Sequence, residues 1–190
     1  MPYTFSYLRA DGTEWHSHLI SRRCTGVCKS GQQCKAMTVI SLPYCWMHLR
    51  SIMHLRIKPS SIPDAGLGLW ADWAGAPNGV VYKKGDNLGY YEGEHMSQEQ
   101  LAERYDNGAP YAMHVNANEA IDGALERYYL AAVNHKPRAQ CNVEFLNPHQ
   151  GRIRVRATKN IMNGQELFIN YGNDYRFHAF DNHSTKKTRR

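Results

Sequence analysis

The sequence predicts a mainly β domain with one or two short helices, preceded by a small segment built around a metal. Three observations carry that reading. From Met53 onward the apolar runs are short and broken by Gly, Pro, Asn and Asp, the punctuation of short strands. Strands do not alternate with long helical patterns, which argues against a doubly wound parallel sheet, and Gly66-Leu67-Gly68 lacks the third glycine of a dinucleotide fingerprint. Four of the five cysteines fall between Cys24 and Cys45, with His48 close behind.

The elements follow in order. Residues 1–21 carry no clear pattern. Residues 22–50 are rich in Cys, Gly, Lys and Ser and suit a metal-stapled loop structure. Gly68-Leu69-Trp70-Ala71 reads as a strand after a glycine-rich turn, and Leu88-Gly89-Tyr90-Tyr91 as another. Successive strand residues face opposite sides, so Tyr90 and Tyr91 should part company. Ser97-Gln98-Glu99-Gln100 is a capping box, which predicts a short helix through Tyr105. Tyr111 to Val115 and Glu119 to Ile121 read as a hairpin across Asn116-Ala117-Asn118. Arg152 to Ala157 alternates most clearly, with Ile153, Val155 and Ala157 inward and Arg152, Arg154 and Arg156 outward. Glu166 to Asn170 is a further strand, entered from a turn at Asn163-Gly164.

At 190 residues and 42% apolar composition the chain is long enough for one cored domain with an appendage. No apolar run reaches the ~20 residues that span a bilayer, and the N-terminus has no secretory pattern, so a soluble, intracellular protein without membrane contact is expected. The formal charge is +6, and Lys186-Lys187-Thr188-Arg189-Arg190 holds four of the positives. That basic tail, with the Arg152-Arg154-Arg156 face, is a candidate grip on nucleosomal DNA through phosphates, against the plainer reading of a solvated surface.

In an intracellular chain, clustered Cys and His point to metal before disulfides. Cys24, Cys28, Cys34, Cys45 and His48 offer five ligands to a tetrahedral zinc that takes four. Cys45-x-x-His48 is a tight pair; either Cys24 and Cys28 or Cys24 and Cys34 complete it. The run Arg23-Cys24, Gly31-Gln32-Gln33-Cys34-Lys35, Tyr44-Cys45-Trp46-Met47-His48 resembles a short cysteine–histidine module of viral and microbial proteins. That resemblance implies Cys24, Cys34, Cys45 and His48 as ligands of a structural Zn2+, with Cys28 left open.

Ala65-Gly66-Leu67-Gly68-Leu69-Trp70-Ala71, Asn134-His135 and Glu166-Leu167-Phe168-Ile169-Asn170-Tyr171-Gly172, in that order, resemble the SET-domain family of protein lysine methyltransferases. The resemblance runs from about Leu55 to about Phe177. It implies a β-clip fold of short strands with knot-like C-terminal threading. The expected division is an N-terminal segment 1–21, a zinc-binding module 22–50, a SET domain 52–177 and a basic tail 178–190. The chain departs from the pattern at Ala131, Ala132, Lys136 and Asn170, and it has no cysteine after Cys141. In this it resembles compact, viral-like members that close the site with aromatic residues.

What the resemblance implies about the site follows residue by residue. Tyr171 is the expected catalytic tyrosine and Tyr91 its partner. Gly66, Leu67, Gly68 and Leu69, with Asn134 and His135, would hold S-adenosylmethionine, covered by Tyr175 and Phe177. Tyr91, Ile169 and Tyr171 would wall the substrate channel. The expected partner is a protein lysine, with a histone tail as the family default, which would place the protein at chromatin; the alternatives are a lysine of a non-histone protein, or a nonenzymatic chromatin or nucleic-acid adaptor on a decayed domain, and self-association into a homodimer is a further expectation.

Overall fold

The structure, a computed structural model, describes residues 4–172 apart from 10, 40, 107, 108 and 147. Tyr175, Phe177 and the basic tail lie outside the described residues. Among those residues the chain is mainly β with two α-helices, as the sequence predicts. No described helix is long and apolar enough to cross a membrane.

The first element is one the sequence did not signal. Thr4–Leu8 and Glu14–His18 form an antiparallel hairpin. Its turn is set by Asp11, whose carboxylate accepts from the Thr13 amide at 2.8 Å and hydroxyl at 2.7 Å, and by Gly12 at φ +83°. A left-handed φ of that size suits glycine. Phe5 and Tyr7 then face one side, and both meet rings edge-on: Phe5 on Tyr111 at 6.0 Å and Tyr7 on Tyr105 at 5.1 Å. The hairpin is held by these aromatic contacts with a distant part of the chain, which no local pattern announces.

Residues 22–50 hold a short antiparallel pair, Arg22–Arg23 with Met37–Thr38, and a helix α1, Trp46–Met53. Cys45 is the N-cap of α1, and His54 ends the helix at φ 52°. The helix buries Leu49 in the main core, and Met53 packs against that core from its last turn. The metal-ligand segment is thus joined to the domain by apolar burial as well as by the chain.

Two sets of strands line the main core. Leu55–Pro59 pairs antiparallel with Leu67–Ala71. Ile153–Ala157 is the centre of a three-stranded sheet, flanked by Val143–Phe145 and Asn87–Tyr91. Ile153, Val155 and Ala157 are each 1% exposed, so the predicted alternation holds. The arginine face is not free of acids: Arg152 pairs with Glu92 at 2.8 Å and Arg156 with Glu144 at 2.6 Å. Arg152 also lies over the Tyr90 ring, while Tyr91 turns into the core.

The capping box forms as predicted. Ser97 Oγ accepts from the Gln100 amide at 3.2 Å, Gln100 Oε1 accepts from the Ser97 amide at 2.8 Å, and helix α2, Gln98–Tyr105, follows. Ala112–His114 and Glu119–Asp122 make the expected hairpin, and Glu94–Ser97 adds a third strand. Asp122 is fully buried here. It accepts from Arg104 and the Tyr105 hydroxyl, each at 2.7 Å, and Arg104 also binds Glu94. A buried carboxylate needs such partners.

The C-terminal segment is gripped from both sides. Gly164 and Leu167 donate to Ala71 and Leu69, and Ala71 donates to Gln165. On the other side Phe168–Ile169 runs parallel to Asn134–His135. Asn142 binds the same segment with its amide, donating to the Glu166 carbonyl and accepting from the Phe168 amide, each at 2.8 Å. The regular strand is only Phe168–Ile169, shorter than predicted, because Glu166 and Leu167 bond to a different neighbour.

Candidate active site

Tyr91 and Tyr171, remote in sequence, line one narrow cavity of about 50 Å³. Its walls are apolar and include Met113, Leu130, Ala131, Val133 and Phe145. Each phenol donates inward to main chain: Tyr171 to the Val133 carbonyl at 2.7 Å and Tyr91 to the Tyr111 carbonyl at 2.6 Å. A hydroxyl whose proton is already directed to a carbonyl meets an incoming group as an acceptor. Burial pushes the Tyr91 phenol far above its ordinary value, with nearby Tyr171 and Asp122 adding to the shift, so it stays protonated. Arg127 lies 3.6 Å over the ring of Tyr111, another lining residue. The cavity therefore offers oxygen acceptors in a largely apolar wall, with the Arg127 cation on the ring of one lining residue.

Behind Tyr171 stands His135. The Tyr171 amide donates to His135 Nδ1 at 3.0 Å, and the two rings are 5.3 Å apart. That bond requires an unprotonated Nδ1, and burial lowers the imidazole's pKa in the same direction. Asn134, next along, donates from Nδ2 to the Leu67 carbonyl at 3.0 Å. The three remote motifs thus meet in one place through main-chain and side-chain bonds.

A residue the sequence reading passed over explains why they meet. Glu166 is 4% exposed. It accepts from Ser60 Oγ at 2.7 Å, from the Ser61 amide at 2.7 Å and hydroxyl at 2.6 Å, and from Asn134 Nδ2 at 3.3 Å. Burial alone would raise this carboxyl, but the bonds from Ser60, Ser61 and Asn134 outweigh it and hold it below the usual range. A Cβ on residue 68 would stand 2.1 Å from Glu166 Oε1. Gly68 is therefore demanded by Glu166. Gly66 has a different reason: its φ is +68°, and nothing lies within 4 Å of where its Cβ would be. The turn leaves accessible main chain at Gly66 and Leu67, beside the half-buried Asn134 and His135.

Ile169 is buried in the main core, outside the cavity lining. Of the departures from the family pattern, Ala131 lines the cavity and Lys136 places its ammonium 4.0 Å over the Phe168 ring. The signal that marks Glu166 is the pair Ser60-Ser61, two hydroxyls in series that need an acceptor, but nothing local says which acid supplies it.

Cys24, Cys34, Cys45 and His48 converge, with all four ligand atoms within 4.8 Å of one another. Cys24 Sγ and Cys45 Sγ each lie 3.4 Å from His48 Nδ1. Tetrahedral zinc with Zn–S about 2.3 Å and Zn–N about 2.05 Å needs an S···N edge of about 3.5 Å, so the spacing fits. His48 Nε2 lies 3.2 Å from the Val27 carbonyl, the bond that leaves Nδ1 as the ligand atom. Main-chain amides of Gly26, Ala36 and Cys45 point at the sulfurs. Gly26 has no room for a side chain, since a Cβ would stand 2.3 Å from His48 Cγ. Cys28 is exposed and outside the cluster.

Comparison with known proteins bears on the fold. The SET domain family model matches residues 80–172. The polycomb repressive complex 2 of Chaetomium thermophilum shares the fold, at 23% identity over 64% of this chain and 15% of the other, with a TM-score of 0.53. The same complex in an autoinhibited conformation bound to S-adenosylmethionine matches at 23% identity, over the same shares, with a TM-score of 0.52. A third form, in complex with histone H3 carrying a trimethylated lysine, matches at 23% identity over 62% of this chain and 14% of that one, with a TM-score of 0.53. This chain thus spans about 15% of the length of those it resembles. Over residues 80–172 the chain is similar to the SET domain family, and its fold is SET-like.

Proposed function

We propose that this protein is an S-adenosylmethionine-dependent protein lysine N-methyltransferase with a histone tail as substrate. One observation carries the reading: two phenols, Tyr91 and Tyr171, whose protons are both committed to carbonyls, line one narrow and largely apolar cavity. A long aliphatic stem tipped by an N–H donor is the side chain such a cavity receives. The solved structures with S-adenosylmethionine and with histone H3 support the cofactor and the substrate class.

The residues act by binding and alignment. Free lysine titrates near 10.4, so it arrives as an ammonium. An apolar passage with Arg127 beside it disfavours that charge and favours loss of the proton to water on entry. Tyr171 and Tyr91 then accept from the neutral amine and fix its direction. Main chain at Gly66, Leu67, Gly68 and Leu69, with Asn134 and His135, would hold the cofactor, and Tyr175 and Phe177 would cover it. S-adenosylmethionine, when bound, supplies an electrophilic methyl carbon. Holding two reactants in a near-attack pose accounts for about 7–11 kcal/mol of such a barrier. Cys24, Cys34, Cys45 and His48 would hold a structural zinc, the SET domain occupying 52–177.

The test is methyl transfer from labelled S-adenosylmethionine to histone octamers and to an array of lysine peptides, read by mass spectrometry. Tyr171→Phe should cut turnover at least a hundredfold while cofactor affinity, measured by calorimetry, stays within about threefold. Equal turnover of Tyr171→Phe and the parent would refute the assignment. Methylation of array peptides with none on histones would keep the reaction and overturn the substrate.

A further inference from the structure

The metal-ligand segment has a surface the methyl-transfer reading does not use. No aspartate or glutamate stands between Glu14 and Asp64, whereas Arg22, Arg23, Lys29, Lys35, Arg50, Arg56 and Lys58 all fall there. Asp72 lies near Arg50 and Arg56. Among the described residues no carboxylate pairs with Arg22, Arg23, Lys29 or Lys35. Arg22 and Arg23 are braced on main-chain carbonyls of Leu42 and of Cys34 and Gln33, and Arg23, Lys29 and Lys35 are exposed.

The same segment holds apolar groups that are left in water. Trp46 is 74% exposed, Met37 64% and Met47 58%. An indole that exposed, on the first residue of a helix whose Leu49 is buried, is not there for the core. The cysteine ligands carry these groups as sequence neighbours: Arg23 precedes Cys24, Lys35 follows Cys34, and Trp46 follows Cys45. Because the ligand atoms sit within 4.8 Å of one another, their neighbours project from one small rigid body.

We infer that this module binds single-stranded nucleic acid, with Trp46 as a stacking platform and Arg23, Lys29 and Lys35 on the phosphates. Cations without compensating acids supply the sequence-independent attraction to a phosphate chain. Exposed aromatic faces among them take unpaired bases, the arrangement of single-strand sites. An acidic protein would use the cations but has no need of a bare indole. A duplex hides its base faces from it. The inference concerns residues outside the methyl-transfer cavity, and its readout is binding, so it stands or falls apart from that activity.

The 190-residue chain, loaded with zinc, would be titrated into fluorescein-labelled single-stranded DNA and RNA of about 20 nucleotides, into the matching duplex, and into poly-glutamate, with anisotropy and Trp fluorescence recorded across a salt series. Expected are tighter binding to the single strands than to duplex or poly-glutamate and quenching of Trp fluorescence. Trp46→Ala should weaken single-strand binding about tenfold with an unchanged salt slope. Lys29→Glu with Lys35→Glu should weaken it further and reduce the log–log slope by about 1.4, two contacts at about 0.7 each. Methylation of a short peptide by Trp46→Ala should match the parent. Preference for poly-glutamate or duplex would overturn the inference. So would binding unaffected by these substitutions, or lost only when the tail positives Lys186, Lys187, Arg189 and Arg190 are replaced.

Discussion

A methyl group added at residue 68 collides with a buried carboxylate. In Gly68→Ala the new Cβ stands 2.1 Å from Glu166 Oε1, 2.9 Å from its carboxyl carbon and 3.2 Å from Asn134 Nδ2. To restore ordinary contact Oε1 must retreat by about 1.3 Å, which breaks bonds now near 2.7–3.3 Å. Two bonds to a charged acceptor, from Ser60 and Asn134, are lost at about 1.5–3 kcal/mol each. Rehydration of the freed groups recovers about half, leaving a cost of about 1.5–3 kcal/mol. For a chain of this size, at about 2–4 °C per kcal/mol, that lowers the Tm by about 3–12 °C. The assay is urea unfolding of the zinc-loaded protein, with midpoint falling and m unchanged. A double-mutant cycle assigns the cause: with Glu166→Ala in place the obstacle is gone, and Gly68→Ala should recover at least about 1.5 kcal/mol of its cost. A Gly68→Ala cost under about 0.5 kcal/mol, or strict additivity in the cycle, would refute the steric reasoning.

The carboxylate at Glu166 also sets an acid sensitivity. Its folded pKa is depressed, so its stabilisation is complete above the unfolded value of about 4.3 and is lost as pH falls through the lower folded value. The stability gap between the parent and Glu166→Gln should therefore shrink below about pH 4.3, and a gap constant down to pH 2 would contradict the assignment. Metal analysis should give one zinc per chain, kept in Cys28→Ser and lost in Cys34→Ser, with chelation abolishing protection of α1 in hydrogen exchange; one zinc lost in Cys28→Ser would overturn the ligand set. Asp122→Ala strands the Tyr105 hydroxyl and leaves Arg104 with Glu94 as its one carboxylate, and should cost about 2–4 kcal/mol in urea unfolding; a cost below about 1 kcal/mol would show that the cluster does not hold α2.

Local signals in the sequence read well where one neighbour decides the conformation. The capping box at Ser97 and Gln100 closes within its own turn, so four residues determine it. Ile153, Val155 and Ala157 alternate because a strand has a period of two, whichever strands flank it. Spacing left the first pair of metal ligands open and the resemblance narrowed it; the side chains of Cys24, Cys34, Cys45 and His48 do lie together in the fold. Acidic residues show the opposite case: Glu94 and Asp122 are taken by Arg104 and Glu92 by Arg152, partners that no local pattern identifies.

By itself the sequence determined what is periodic or local here: the short strands, α2, the Cys45-x-x-His48 pair, and the order of the three motifs. Only the tertiary structure decided that Glu166 reaches Ser60 and Ser61, that Gly68 yields its space to that carboxylate, that Tyr91 and Tyr171 share a cavity, and that Phe5 and Tyr7 dock on α2 and its neighbours. The reason is physical. A period or a cap is satisfied by residues a turn away, whereas a buried carboxylate or phenol takes whichever partner the packed chain delivers, and that partner lies tens of residues off.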